Sequence, residues 1–137
     1  MRFRSAALST VVVAATLTLA ATVPAGASTQ TTIYDCTDGQ ICLYPDPNFS
    51  TGSAGYFGAW AVNGGSSFGN LPVPNLHDSA PLMDDKASSG LNNSDQQVCA
   101  YADPNYQGNW IVFPPHTQLA DFRTAGLDDQ VTSIRVC

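Results

Sequence analysis

The chain has 137 residues, of which 5 are Lys or Arg and 11 are Asp or Glu, so its formal net charge is −6. Its apolar content of 44% is typical of a globular chain rather than a disordered one, and its length allows one domain or two very small motifs fused into one. The acidic balance argues against nucleic acid as a partner, because binding its backbone requires clustered Lys and Arg.

The N-terminus has the organisation of an export signal. Arg2 and Arg4 precede an uncharged run over residues 6–21, and small residues follow at positions 25–27. This order predicts a secretory signal peptide over residues 1–27, cut before Ser28. A membrane anchor is the alternative, and it is disfavoured because the run is short and rich in Ala and Thr. We therefore expect a secreted, extracellular protein with no membrane attachment after cleavage.

The remaining chain, residues 28–137, keeps only Lys86, Arg123 and Arg135 as positive charges, and its net charge becomes −8. All of its acidic residues are Asp, and Glu is absent from the sequence. Asp favours turns and helix caps and is a hard oxygen ligand, whereas Glu favours helix surfaces. This composition, with abundant Gly, Pro, Asn and Ser, predicts strands joined by elaborate loops.

Four cysteines form an even set, which in a secreted chain indicates two disulfides. Three pairings are possible, and sequence alone does not decide between them. We favour Cys36 with Cys42, closing a tight loop, and Cys99 with Cys137, tying the last strand to an earlier one. A zinc site is disfavoured, because no close Cys-x-x-Cys pair is present.

A two-fold repeat is the most informative feature. Residues 42–49 (CLYPDPNF) and residues 99–106 (CAYADPNY) are identical at five of eight positions. Residues 84–89 (DDKASS) and residues 128–133 (DDQVTS) form a second related pair, here called the first and second acidic loops. The openings are 57 residues apart and the acidic loops 44, so the first copy carries 13 extra residues, which we place between positions 49 and 82.

The strand pattern follows this repeat. We expect opening strands at residues 41–44 and 98–101, with a closing strand at residues 131–136. Hairpin partners are expected near residues 56–62 and 109–113, and no stretch shows a helical period. Short strands, turn signals and repetition predict an all-β sandwich of two four-stranded Greek-key motifs, at about residues 40–94 and 97–137.

The opening hairpins carry an aromatic residue, four residues, an aromatic residue, one residue and Gly. Tyr101, Tyr106 and Gly108 match this pattern in full, whereas the first copy has Thr51 where Gly is expected and Gly52 one position later. In this respect the chain resembles the βγ-crystallin superfamily. Both acidic loops also satisfy that family's calcium signature of two Asn or Asp, two variable residues, Ser or Thr, and then Ser.

The resemblance is narrower still to a secreted bacterial branch. The signal peptide, the short loop of residues 36–42 and the Cys-Leu-Tyr opening are similar to that branch, which includes small inhibitors of metalloproteinases. The resemblance covers nearly all of residues 28–137. It implies a disulfide-stapled βγ-crystallin-type sandwich and makes an extracellular protease the expected partner.

Calcium takes six to eight oxygen ligands, so one short loop rarely suffices. Each acidic loop offers a carboxylate and a hydroxyl, and the resemblance implies that the two loops lie side by side and lend ligands to each other's ion. Two weak Ca²⁺ sites are therefore expected. Backbone carbonyls of four of the residues would complete them, and the full expected set is Asp84, Asp85, Lys86, Ser88, Asp128, Asp129, Gln130, Thr132, Asp46 and Asp103.

Two alternatives to these sites stay open. Both acidic loops can be structural turns, in which Ser88 and Thr132 cap backbone groups and the Asp pairs make Asx-turns. Lys86 departs from an all-acidic site, and its charge would weaken calcium binding at the first loop.

An enzyme is not expected. The sequence has no Glu to act as a raised-pKa acid, its cysteines are expected to be paired, and its only imidazoles are His77 and His116, expected in solvated loops. His77 and Asp78 resemble a base and its orienting acid, but adjacent residues on an extended chain point apart. Trp60 and Trp110 are expected in the core rather than on a sugar-stacking surface.

The leading interpretation is a monomeric peptidase inhibitor that presents a rigid exposed loop. The candidate loops are residues 58–82 and residues 36–42, and neither carries a recognisable scissile bond. Two alternatives remain: a calcium-stabilised extracellular binding or stress module, and a secreted toxin-like protein.

Overall fold

A computed structural model describes residues 36–64 and 69–137, so the predicted signal peptide lies outside the described residues. The described chain forms two antiparallel sheets. The first has the order β2 (Gly58–Ala61), β1 (Gln40–Tyr44), β3 (Ser89–Asn93) and β6 (Thr117–Leu119). The second has the order β5 (Gln107–Phe113), β4 (Val98–Asp103) and β7 (Ser133–Val136). The predicted all-β class is confirmed.

Each motif sends its third strand to the other sheet. Strand β6 of the second motif pairs with β3 of the first, and Leu119 lies opposite Gly90. The counterpart in the first motif is reduced to Val73, which exchanges backbone hydrogen bonds of 2.8 and 3.0 Å with Ile134 of β7. This exchange interlocks the two motifs.

The five predicted strands are present, with altered ends. Residues 131 and 132 belong to the second acidic loop rather than to β7, and β2 occupies only the centre of its predicted span. Strands β3 and β6 were not predicted, because Ser-Gly-Leu-Asn-Asn and Thr-Gln-Leu lack the β-branched, alternating pattern that identifies a strand. Both are defined by their partners rather than by their own composition.

The core lies between the two sheets. It is formed by the inward-facing residues of the strands together with residues from the acidic loops, and its fully buried members include Ile41, Leu43, Leu76, Val98, Phe113, Phe122, Leu127 and Ile134. Each fully buried side chain of this size contributes about 1.5–3 kcal/mol. A smaller cluster around Tyr44 and Phe49 covers the outer side of the first sheet.

The two tryptophans occupy different environments. Trp60 is 3% exposed, as predicted, whereas Trp110 is 60% exposed, so the prediction of a core position for Trp110 is wrong. The strand register explains the difference. Trp60 lies opposite Ile41 and faces the core, while Trp110 lies opposite Tyr101 on the outer face of β5, the edge strand of its sheet.

Helical structure in the described part of the chain is short. Helix α1 (Leu76–Ser79) begins after Asn75, whose side chain accepts a hydrogen bond of 3.1 Å from the backbone N–H of His77. A 3₁₀ turn (Phe122–Ala125) begins in the same way after Asp121, which accepts from the N–H of Arg123. None of the described helices is long and apolar enough to cross a bilayer.

Both favoured disulfides are confirmed. Cys36 is bonded to Cys42, and Cys99 is bonded to Cys137. The first closes the short loop before β1, and the second ties the end of the chain to β4. No free cysteine remains to act as a nucleophile or a metal ligand.

The departure in the first hairpin is a one-residue insertion. Gly52 has a φ of 51° and Gly108 a φ of 76°, and a Cβ on either would overlap the carboxylate of Asp46 or Asp103 respectively. Gly52 therefore fills the role of Gly108 one position late. The 13 extra residues of the first copy are spread over three places: before β2, between β2 and Val73, and after α1.

Candidate functional site

The two acidic loops lie against each other, related by the pseudo-two-fold symmetry of the repeat. The backbone N–H of Asp85 donates to the carbonyl of Val131 at 3.2 Å, and the N–H of Asp129 donates to the carbonyl of Ala87 at 3.1 Å. Asp85 and Asp129 both have a φ of 53°, a left-handed conformation that Asp tolerates better than most residues. Reciprocal backbone bonds thus hold the loops face to face.

Side chains also cross between the loops. The hydroxyl of Thr132 donates to Oδ1 of Asp85 at 3.0 Å, and the hydroxyl of Ser88 lies 3.4 Å from Oδ1 of Asp129. Each carboxylate is therefore beside the hydroxyl of the opposite loop. Two oxygens about 3 Å apart can both lie within about 2.3–2.6 Å of one calcium ion.

An open cavity of about 530 Å³ adjoins one of these pairs. Asp85 and Thr132 line it together with the candidate carbonyl residues Gln130 and Asp103. Asp84, Asp129 and His77 also line this cavity. Six of the ten predicted ligand residues thus come to it from three segments of the chain.

The first Asp of each loop is oriented inward. Asp84 and Asp128 each have one buried carboxylate oxygen, Oδ1, without a hydrogen-bond partner in the described structure. The other oxygen of Asp84, Oδ2, lies 3.4 Å from Nδ1 of His77. An unpaired buried carboxylate oxygen is costly, so each of these oxygens is suited to a cation or an ordered water.

The cations near the two loops differ. The first loop contains Lys86 where the second has Gln130. Arg123, at the position equivalent to His77, forms a 2.7 Å ion pair with Asp121, which raises the pKa of Arg123, and the charge of Asp128 raises it further. Lys86 and Arg123 thus occupy the positions at which the other half of the repeat has Gln130 and His77.

The predicted hairpin residues contact the last serine of each loop. The hydroxyl of Ser89 donates to the carbonyl of Asp46 at 2.7 Å, and that of Ser133 donates to the carbonyl of Asp103 at 2.7 Å. The same hydroxyls accept from the N–H groups of Phe49 and Tyr106, both at 3.0 Å. Each carbonyl retains a second lone pair that a cation can use.

Ser89 and Ser133 were given no role in the sequence analysis. Both are fully buried, and each fastens an opening hairpin to an acidic loop of the same motif. The signal for them was present, because Ser ends both acidic loops at the same spacing. The role of these serines became clear only from their hydrogen bonds to the opening hairpins.

The residues fit a hard, oxygen-bound cation. Among the described residues, no three His, Cys, Asp or Glu side chains converge in the manner of a carboxylate- or imidazole-rich metal centre. The predicted shell instead combines one carboxylate, one hydroxyl and backbone carbonyls at each site. Calcium accepts such mixed oxygen ligands, whereas zinc prefers nitrogen and sulfur.

No acid–base pair is formed by His77 and Asp78. Asp78 accepts a hydrogen bond of 2.9 Å from the side-chain amide of Asn75, and the imidazole of His77 faces Asp84 instead. His116 is at the surface, with Nε2 2.8 Å from Oδ1 of Asp95. Both imidazoles are exposed, as predicted; His116 lies in a turn, whereas His77 lies in helix α1 rather than in the expected loop.

Solved structures share this architecture. A structure described under the evolution of the eye lens βγ-crystallin domain fold has a TM-score of 0.57 and 23% identity, with 74% of this chain and 87% of that chain covered. A βγ-crystallin from Ciona intestinalis has a TM-score of 0.55 and 18% identity, covering 72% and 100%. Spherulin 3a from Physarum polycephalum has a TM-score of 0.52 and 21% identity, covering 75% and 86%. These likenesses establish the βγ-crystallin fold.

The family is decided by a sequence match that covers the first motif and the first two strands of the second. The model of peptidase inhibitor family I36 matches residues 29–113, more than half of the chain. The chain belongs to peptidase inhibitor family I36. No curated protein matches it significantly in sequence. The match ends at the last residue of β5, so it includes the first acidic loop and excludes the second.

Membership of family I36 confirms the expected resemblance to inhibitors and makes a peptidase the partner in general terms. A peptidase inhibitor acts by binding, and its requirement is a rigid surface rather than a reactive group. Two disulfides and the interlocked sheets provide that rigidity in this I36 member. Disulfides are also typical of extracellular proteins.

Proposed function

We propose that this I36 member is a secreted, calcium-stabilised inhibitor of extracellular metallopeptidases. The match to family I36 over residues 29–113 carries the proposal of inhibition. The two disulfides support an oxidising, extracellular location, and the charged and apolar pattern of residues 1–27 supports export. Metallopeptidases are proposed as the target class because the sequence resembles the branch that inhibits them.

Calcium would act on the fold rather than on the peptidase. Asp85, Thr132 and the carbonyl of Gln130 would hold one ion beside the open cavity, with the Asp103 hairpin adjacent. A bound calcium ion supplies two positive charges to a chain that has few of its own. Since the ligands come from both motifs, binding would favour the folded state by mass action.

The second ion would be held by the equivalent groups of the other half. Ser88 and Asp129 provide its hydroxyl and carboxylate, and Lys86 and Asp46 provide candidate carbonyls. Asp84 and Asp128, the first residues of the two loops, each add a buried carboxylate oxygen. Extracellular calcium modules of this kind usually have dissociation constants of about 10⁻⁴–10⁻³ M, so we expect weak binding at both sites.

An inhibition assay tests the proposal. Residues 28–137, with both disulfides formed, are titrated against thermolysin as a metallopeptidase and subtilisin as a serine peptidase. We expect dose-dependent inhibition of thermolysin at micromolar or lower concentration and weaker inhibition of subtilisin. No inhibition of thermolysin would contradict the metallopeptidase assignment, and no inhibition of either enzyme would contradict inhibition as a function.

A further inference from the structure

The outer side of the second sheet carries an exposed surface that neither the acidic loops nor the core uses. We call it the aromatic face, and it consists of Tyr106, Trp110, Val112 and Arg135 around the buried ring of Tyr101. Trp110 is 60% exposed and Val112 is 43% exposed, and both lie on the edge strand β5. Together with neighbouring residues the face lines an open depression of about 510 Å³. Exposed apolar residues grouped in this way are typical of interaction sites.

The equivalent surface of the first motif, on the outer side of the first sheet, is covered by other residues of the chain. Tyr44 is the counterpart of Tyr101, and it is fully buried beneath Phe57, whose ring stacks on it at 5.4 Å. Phe57 lies one step beyond the Leu43–Gly58 pair, at the position that corresponds to Trp110. Cys36 of the disulfide loop packs on the same cluster. In the second motif Tyr101 is 7% exposed and Trp110 occupies the covering position, but Trp110 itself remains 60% exposed.

The two faces also differ in charge. Leu91 of the first motif, which packs in the covered cluster, occupies the position of Arg135 in the second. Arg135 lies over the rings of Tyr101 and Tyr106, at 5.4 and 4.9 Å from their centroids. The covered outer face of the first sheet thus has the apolar residue Leu91, and the exposed aromatic face has the cation Arg135 at the same position.

Arg135 is held in place without being neutralised. Its Nε donates to the hydroxyl of Tyr101 at 3.1 Å. The ion pairs of the described residues are made by His77, His116 and Arg123, and none includes Arg135. An oriented guanidinium without a carboxylate, beside an exposed Trp, is complementary to an acidic side chain next to an apolar one.

The face is also rigid. The disulfide between Cys99 and Cys137 cross-links β4 to the end of the chain at its border. Strand pairing fixes Trp110 opposite Tyr101, and Tyr106 packs on Tyr101 with its ring centroid 5.9 Å away. Trp, Tyr and Arg dominate the binding energy of protein interfaces, and a pre-organised surface loses little entropy when it binds.

We propose that the aromatic face is the surface through which this I36 member binds its peptidase. Trp110 packs against an apolar side chain of the peptidase, and Arg135 pairs with one of its carboxylates. This inference rests on the proposed function, because it requires that the protein inhibits a peptidase. It assigns binding to the second sheet rather than to residues 58–82 or residues 36–42.

The test compares two equally exposed apolar residues. Inhibition constants against thermolysin and subtilisin are measured for the wild type, Trp110→Ala, Arg135→Gln and Leu82→Ala. Leu82 is 63% exposed and lies at the end of residues 58–82, so it is the matched control. Thermal melting of each variant shows that it is folded, and Arg135→Gln tests the face without removing an aromatic side chain.

We expect Trp110→Ala and Arg135→Gln each to raise the inhibition constant at least about tenfold and Leu82→Ala to change it less than about twofold. An inhibiting wild type whose constant is unchanged in folded Trp110→Ala and Arg135→Gln would overturn the inference and leave the proposed function intact. A loss of inhibition in Leu82→Ala alone would also overturn it. A wild type that inhibits neither enzyme would overturn both the proposed function and this inference.

Discussion

Ser89 donates its hydroxyl hydrogen to the carbonyl of Asp46 across 2.7 Å, although 43 residues separate the two in the chain. The second motif repeats this bond between Ser133 and Asp103 at the same length. Both serines are fully buried, and each also accepts from the backbone of its hairpin. The opening hairpin and the acidic loop of each motif therefore fold as one unit.

Removing either of these hydroxyls should destabilise the protein. Ser89→Ala leaves the buried N–H of Phe49 without its partner and removes the bond to the carbonyl of Asp46, so we expect it to lower the free energy of unfolding by about 1–3 kcal/mol. Ser133→Ala should have a similar effect by symmetry. Urea denaturation measures both, with the exposed Ser79→Ala as a control expected to stay within about 0.5 kcal/mol. A neutral Ser89→Ala would show that the bond contributes nothing to stability.

Substitutions at Gly52 and at Gly55 should differ in their effect on stability. Both have a positive φ, of 51° and 67° respectively, so Ala at either position should cost about 1–2 kcal/mol. A Cβ at Gly52 would also overlap the carboxylate of Asp46, whereas a Cβ at Gly55 would meet nothing within 4 Å. We expect Gly52→Ala to lose at least about 1 kcal/mol more than Gly55→Ala in urea denaturation. Equal losses would mean that the hairpin can move the carboxylate aside.

The repeat explains why so much of the fold follows from the sequence. Matching openings at residues 42–49 and 99–106 identify β1 and β4, and the predicted closing strand at the second acidic loop corresponds to β7. The exchange of third strands could not be predicted. Val73 makes a single bridge in a Pro-rich segment, and its partner Ile134 is distant in sequence.

The candidate site was predictable in composition but not in pairing. Two acidic loops of the same type predicted neighbouring carboxylates and hydroxyls. The resemblance implied that the loops share ligands, but which carboxylate lies beside which hydroxyl follows only from how the motifs pack. The exposure of Trp110 was not predictable from its Gly-x-Trp context, because Trp60 shares that context and faces the other side of its sheet.

Lys86 should weaken calcium binding at the first loop. It is exposed and occupies the position that Gln130 holds in the second loop. Lys86→Gln removes a positive charge, and we expect calcium to bind about two- to fivefold more tightly at the Ser88–Asp129 site, because one exposed charge contributes about 0.2–1 kcal/mol. Calorimetric titration measures this change. Gln130→Lys is the reciprocal control and should weaken the Thr132–Asp85 site; no effect of either change would rule out a role for these charges.

Acid should weaken the contact between Asp121 and Arg123. The hydrogen bonds that the Arg123 side chain donates hold the pKa of Asp121 below its usual value of 3.8. The stability from the ionised carboxylate is therefore present above about pH 3.8 and is lost as pH falls through the lowered pKa. We expect Asp121→Asn to lower the melting temperature at pH 6 and to match the wild type at pH 2. A constant difference across that range would contradict this assignment.

The most direct test of paired loops counts calcium ions in two double variants by calorimetry. If each site is shared across the loops, Asp85→Ala/Thr132→Ala removes one site and leaves the other, while Asp85→Ala/Ser88→Ala damages both. We predict two ions for the wild type, one for the first double variant and none for the second. The reverse order, with one ion retained by Asp85→Ala/Ser88→Ala and none by Asp85→Ala/Thr132→Ala, or a wild type that binds no calcium, would contradict the account.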